Sequence, residues 1–191
     1  DVYKRQSKHM LQNSTATITL TNSGTARFSG GLKYAAAGVA ENNEFNLVMN
    51  GASSGVQYWD DTGSGMTFNN VTVKSGTFEF ASRFNSGALS VEGGVFSAID
   101  GGASFASASW SGGAFAFAAE PFMGGMADKI SVEGKFVKAA DGKIAIDFSG
   151  LDAESVLGAT YDLISASVFE DAAGASLTVS DADEYFYALN L

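Results

Sequence analysis

Asp60 and Asp61 form an adjacent acidic pair that stands beside two aromatic residues, Tyr58 and Trp59. Two carboxylates flanking a glycosidic bond are what glycoside hydrolysis requires, one as acid and the other as base or nucleophile. An exposed tyrosine or tryptophan ring offers a flat apolar face on which a sugar ring can stack. The plain alternative is that Asp60-Asp61 is a solvated turn and that one of the two rings belongs to the core. Tyr58, Trp59, Asp60 and Asp61 are therefore the candidate ligand-binding residues. A hydrolytic role would need two carboxylates about 5–9.5 Å apart in one groove with the aromatic pair, and Asp100 and Glu120 are the other acidic residues to place there.

The remaining inventory narrows the chemistry. The single histidine is His9, so a Ser/His/Asp arrangement has no base outside the opening segment. The chain has no cysteine, which excludes disulfides, thiolate metal sites and cysteine nucleophiles. Calcium needs clustered oxygen ligands, whereas Asp100-Gly101-Gly102 and Asp141-Gly142 are isolated turns and the glycine–aspartate nonapeptide of calcium-binding β-rolls is absent. No glycine-rich stretch lies between a strand and a helix, so a phosphate loop is not supported. Polygalacturonases, which are parallel β-helices, pair their Asp-Asp with Gly-His-Gly and Arg-x-Lys segments, and this chain has neither. Pectate lyases need a catalytic arginine and calcium-binding carboxylates on successive coils; Arg5, Arg27 and Arg83 come with no such acidic ladder. The sequence therefore predicts no enzyme, no catalytic residue, no cofactor and no metal.

Composition agrees with a contact role. Eleven Lys and Arg against 21 Asp and Glu give a formal charge of −10, with no basic patch. Nucleic-acid binding needs clustered cations to displace counterions, so it is not expected. An anionic membrane surface repels the chain for the same reason, and no run approaches the roughly 20 apolar residues of a membrane helix. Hydrophobic residues make up 46%, enough for a packed core rather than a disordered chain. With 23 Gly, 15 Phe and one Pro, the composition suits many short strands joined by turns.

A short phrase recurs: apolar, any, apolar, two residues, glycine, any, apolar. It reads Val71-Thr72-Val73 with Gly76 and Phe78, then Leu89-Ser90-Val91 with Gly94 and Phe96, then Ala108-Ser109-Trp110 with Gly113 and Phe115. Ile130-Ser131-Val132 with Gly134 and Phe136 is a fourth copy lacking one residue, and Ile18, Leu20, Gly24 and Phe28 make a looser early one. The four clear copies are separated by steps of 18, 19 and 22 residues. β-type units repeating at roughly 20 residues predict a stacked solenoid. Stacking at about 4.8 Å would place Val73, Val91, Trp110 and Val132 over one another. Phe78, Phe96, Phe115 and Phe136 would form a second column, with glycine at each corner. The predicted fold is all-β: a single-stranded right-handed parallel β-helix with a C-terminal β-hairpin cap. An antiparallel β-sandwich is the alternative, since its strands and turns have similar spacing.

The chain divides accordingly into one domain with three parts. Residues 1–13 read as a disordered leader whose opening DVYKRQ resembles adapter-derived read-through, a native basic tail being the other reading. Residues 14–136 are the coils, with Gly51 to Gly65 as an irregular loop and an insertion around Pro121. Residues 137–191 are capping strands: a hairpin from Phe136 to Phe148 through Asp141-Gly142, a helical turn over Leu151 to Leu157, and strands at Tyr161–Ile164, Leu177–Val179 and Tyr185–Leu189.

Two stretches carry a family resemblance. One is Val71 to Phe136, with its Gly-x-Phe and Leu-Ser-Val-Glu-Gly-Gly phrases. The other is Lys143 to Gly150 followed by Gly158-Ala159-Thr160-Tyr161-Asp162-Leu163-Ile164-Ser165-Ala166. Together they resemble the passenger region of bacterial autotransporters and related surface adhesins; the second stretch is similar to the segment that closes such solenoids. The resemblance implies a secreted or surface-displayed protein of a Gram-negative bacterium, acting as adhesin or stalk on host or matrix glycans or proteins. A carbohydrate-binding or polysaccharide-degrading β-helix is the other class.

Overall fold

The computed structural model describes residues 15–30, 44–61, 68–80, 84–98, 102–118, 129–139, 142–147, 162–171 and 177–180. The described elements are all strands. They are β1 (Thr15–Leu20), β2 (Thr25–Gly30), β3 (Glu44–Asn50), β4 (Val56–Asp61), β5 (Phe68–Ser75), β6 (Thr77–Phe80) and β7 (Phe84–Val91). There follow β8 (Val95–Ala98), β9 (Ala103–Trp110), β10 (Ala114–Ala118), β11 (Ile130–Lys138), β12 (Gly142–Asp147), β13 (Ile164–Asp171) and β14 (Leu177–Ser180). Odd strands form one seven-stranded sheet in chain order and even strands form a second. Every pairing in both sheets is parallel. The chain is thus a parallel β-solenoid, each rung made of one odd and one even strand, and the antiparallel sandwich is excluded.

Register gives the repeat its physical meaning. Val71 pairs with Leu89 and Leu89 with Ala108, while Val73 pairs with Val91 and Val91 with Trp110. In the second sheet Phe78 lies against Phe96 and Phe96 against Phe115, all three buried, with ring centroids 6.0 and 6.2 Å apart. A parallel column brings like side chain onto like, so aromatic positions reinforce one another from rung to rung. A second inward column runs Phe28, Trp59, Phe80, and Ala98 with Phe117 continues its line. Large and small residues alternate where rings would otherwise collide. Phe68 and Phe80 flank a rung that has Ser86 and Ala98 at those positions, and the next rung restores Phe105 and Phe117. The rings then tilt into the space left, Phe80 to Phe96 at 5.3 Å and Phe96 to Phe105 at 5.6 Å.

The odd strands bend in the middle. In β5 and β9 two successive residues, Asn69-Asn70 and Ala106-Ser107, face outward before the inward alternation restarts. The corner from odd to even strand is tight, a single residue between β5 and β6. That residue, Gly76, has φ +77°, and Gly113 has φ +76° at the equivalent corner two rungs on. These are left-handed conformations that only glycine adopts without strain. Corner backbone stacks on corner backbone: Val56, Thr77, Val95 and Ala114 donate their amides to the carbonyls of Gly24, Gly55, Gly76 and Gly94 at 2.8–3.1 Å. A Cβ at Gly94 would meet Gly76 O at 2.6 Å, so the column excludes side chains by contact as well as by φ.

Two expectations are corrected. Ile130-Ser131-Val132 is not the fourth copy in register: Val132 pairs with Phe105, and Trp110 pairs with Lys138. Phe136 lies in the odd sheet against Ala108, and the residue in register with Phe115 is Ile144. The phrase falls in the first half of its odd strand, opposite Ala103-Ser104-Phe105, and β11 carries one extra residue after it. Four steps separate Val132 from Phe136, against three between Phe105 and Ala108 and between Ala166 and Phe169. Gly134 therefore sits in a β-bulge and not at a corner. The C-terminal hairpin is also absent. β11 and β12 belong to different sheets, and β12 pairs parallel with β10 and β14. The two parallel sheets thus continue past residue 137 with the same pairing. The strand expected at Tyr161–Ile164 instead runs Ile164–Asp171. The leader, the insertion around Pro121, the helical turn at Leu151–Leu157 and the strand at Tyr185–Leu189 lie outside the described residues.

Phe96→Ala should lower the unfolding free energy by about 3–5 kcal/mol in chemical denaturation, and Gly113→Ala by at least about 1–2 kcal/mol. A loss below about 1 kcal/mol for Phe96→Ala would place that ring outside the column.

Candidate functional site

Val56–Asp61 is a strand of the even sheet, not part of an irregular loop, and strand alternation divides the candidate residues. Trp59 points inward and is 2% exposed. Its ring stacks on Phe28 at 4.2 Å and meets Phe68 at 5.7 Å and Phe78 at 6.2 Å. Trp59 is therefore a core residue, held by packing alone, since its buried indole N–H has no hydrogen-bond partner. The inward neighbour Gln57 is buried too, and its amide donates to the carbonyls of Tyr58 at 2.9 Å and Ala26 at 3.4 Å. A buried polar side chain is tolerable when main-chain acceptors satisfy it.

Tyr58 and Asp60 project outward, partly exposed. Parallel register sets Arg27 beside Tyr58 on one side and Glu79 on the other, while Ser29 lies beside Asp60. The Arg27 guanidinium carbon is 5.6 Å from the Tyr58 ring centroid, a cation–π arrangement. Ser29 Oγ donates to Asp60 Oδ2 at 3.5 Å, and Ser97 Oγ donates to Glu79 Oε2 at 3.3 Å. Asp61 is placed in β4 opposite Gly30, but its side chain lies outside the described residues, as do Asp100 and Glu120. The carboxylate brought near Asp60 is that of Glu79, which sits diagonally one rung away, about 8 Å by the rung and residue spacings of a sheet.

This strip differs from the outer face of the odd sheet. There the exterior is built from small polar residues hydrogen-bonded to their equivalents in the next rung: Asn70 to Asn46 at 2.8 Å, Ser109 to Ser90 at 3.3 Å, Ser75 to Asn50 at 3.2 Å. Such ladders satisfy themselves and offer little to a ligand. The Arg27–Tyr58–Asp60–Glu79 strip instead presents a ring, a cation and two carboxylates within three rungs. Among the described residues no group of three or more His, Cys, Asp or Glu is arranged to hold a metal ion. Arg27, Ser29 and Glu79 were not singled out from the sequence, because 31 residues separate Arg27 from Tyr58 and 21 separate Tyr58 from Glu79. Only the register joins them.

No family model matches the chain, and neither a curated protein nor a solved structure matches it.

Trp59→Ala should cost about 3–5 kcal/mol of stability and Tyr58→Ala under about 1 kcal/mol, measured side by side by denaturant titration. Equal losses would mean that the two rings are not divided between core and surface.

Proposed function

We propose that this chain is a non-enzymatic β-solenoid that works by contact, as an adhesin or structural stalk secreted or displayed at the surface of a Gram-negative bacterium. The observation that carries the reading is the uninterrupted parallel stack: seven strands in each sheet with an apolar interior. A one-dimensional stack provides length and a wide lateral surface from a single repeating geometry. That suits projection or broad attachment better than turnover. The autotransporter-passenger likeness of the Val71–Phe136 and Lys143–Ala166 stretches points the same way. Host or matrix glycans or proteins are the partners this role implies; nucleic acid is not, given the −10 charge.

A second reading, carbohydrate binding, is favoured by the outer strip. Tyr58 supplies a ring, Arg27 a donor, and Asp60 and Glu79 acceptors, the groups a sugar face and its hydroxyls engage. The same strip could serve the adhesin.

Purified chain should bind at least one ligand on combined glycan and matrix-protein arrays, and Tyr58→Ala should lower any glycan signal about tenfold or more, the loss of one stacking contact with its ordered neighbours. Release of reducing ends from a polysaccharide, abolished by Asp60→Asn, would contradict the non-enzymatic reading.

A further inference from the structure

The chain contains a single Asn-Gly pair, Asn50-Gly51, at the end of β3 where the chain enters the corner toward β4. Glycine after asparagine leaves the main-chain nitrogen open to attack the preceding side chain, since no Cβ stands in the way and the backbone turns freely. Packing keeps glycine at this position: a Cβ would meet Asn22 O at 2.5 Å and Met49 Cε at 2.8 Å. The next rung closes on the pair through one residue. Ser75 lies opposite Asn50 in the register, and its main-chain oxygen accepts the Gly51 amide at 3.2 Å. Its Oγ donates to Gly51 O at 2.5 Å and lies 3.2 Å from Asn50 Oδ1. Ser75 thus engages the nitrogen that would attack, the carbonyl beside it and the side-chain amide that would be attacked. Asn50 itself is exposed, so water reaches it.

We propose that Asn50 is a spontaneous deamidation site held in check by Ser75, so that modification proceeds when the Ser75 rung lifts from this corner. The reaction needs Gly51 N within attacking distance of Asn50 Cγ. The extended end of β3 denies that approach, because a strand side chain stands away from the main chain that follows it. Once the corner opens, Gly51 N bonds to Asn50 Cγ and the Cγ–Nδ2 bond breaks. Ammonia leaves with the proton that Gly51 N gives up, and a cyclic imide remains. Water then opens the imide. Breaking the new N–Cγ bond gives aspartate; breaking the original peptide bond gives isoaspartate, whose main chain runs through Cβ and Cγ. Isoaspartate lengthens the main chain at the point where the Gly51 and Ala52 amides reach Ser75 O and Asn22 O. Backbone stacked that closely has no room for the added length, so the modified corner stays open.

The test is peptide mapping by mass spectrometry of the whole chain aged at mildly alkaline pH, folded and in denaturant, with isoaspartate counted by methyltransferase labelling. In denaturant, wild type and Ser75→Ala should deamidate at Asn50 at the same rate, and Asn50→Gln should stay unmodified there. Folded wild type should react far more slowly than denatured wild type. Folded Ser75→Ala should react about fivefold faster than folded wild type, the extra local opening that loss of one hydrogen bond allows. Ser75→Thr keeps the hydroxyl and should match wild type. Phe96→Ala weakens the core two rungs away and controls for general loosening; it should react more slowly than Ser75→Ala. The isoaspartyl fraction should lose hydrogen-exchange protection at the amides of residues 51 and 52. Equal rates for folded and denatured wild type overturn the proposal. So does a Ser75→Ala rate unchanged from wild type or matched by Phe96→Ala or Ser75→Thr. Full protection retained in the isoaspartyl fraction overturns the open corner.

Discussion

Parallel hydrogen bonding between successive rungs is the constraint from which the other features follow. Each ladder fixes the next strand at about 4.8 Å with residue facing residue, so a choice made at one position is imposed on its neighbours above and below. Aromatic columns are one consequence: Phe78, Phe96 and Phe115 share a register line, and so do Phe28, Trp59 and Phe80. The glycine corner is another. At the same spacing, corner backbone rests on corner backbone, and the amide that follows each corner glycine reaches the carbonyl of the glycine one rung earlier. A side chain there would occupy the place of that contact.

The same constraint explains where the stack changes character. The inward line Leu20, Met49, Val73, Val91, Trp110 is apolar for five rungs and then reaches Lys138, which is 4% exposed, followed in register by Asp171. Four residues earlier in the same strand, β11 carries its extra residue around Gly134. A Cβ there would meet Ala106 O at 2.7 Å, so the bulge keeps the backbone close to β9 while shifting the alternation. Apolar columns, bulge, inward lysine and half-exposed Phe169 succeed one another toward the β13 end.

Legibility in the sequence follows from connection length. The three copies at Val71, Leu89 and Ala108 could be aligned because their corners hold one to three residues and the steps are 18 and 19. The phrase at Ile130 matched the pattern in composition but not in position, since a bulge glycine imitates a corner glycine. Asp141-Gly142 misled in the same manner: a turn signal between two alternating runs serves a hairpin and a solenoid corner equally well, and only the pairing partners of β12 separate them. The outer strip was half legible. Tyr58 and Asp60 were visible as a pair, while Arg27 and Glu79 join them through register across connections of unequal length.

The register at the bulge is the sharpest consequence of the fold, and the chain has no cysteine of its own to complicate its measurement. Ser109 lies opposite Val137, whereas the repeat phrase would set it beside Ser131. Strand neighbours about 4.8 Å apart fall within disulfide reach. Under mild oxidation, Ser109→Cys with Val137→Cys should cross-link within one chain and Ser109→Cys with Ser131→Cys should not. Cross-linking of the Ser131 pair alone would contradict the parallel stack described for these rungs.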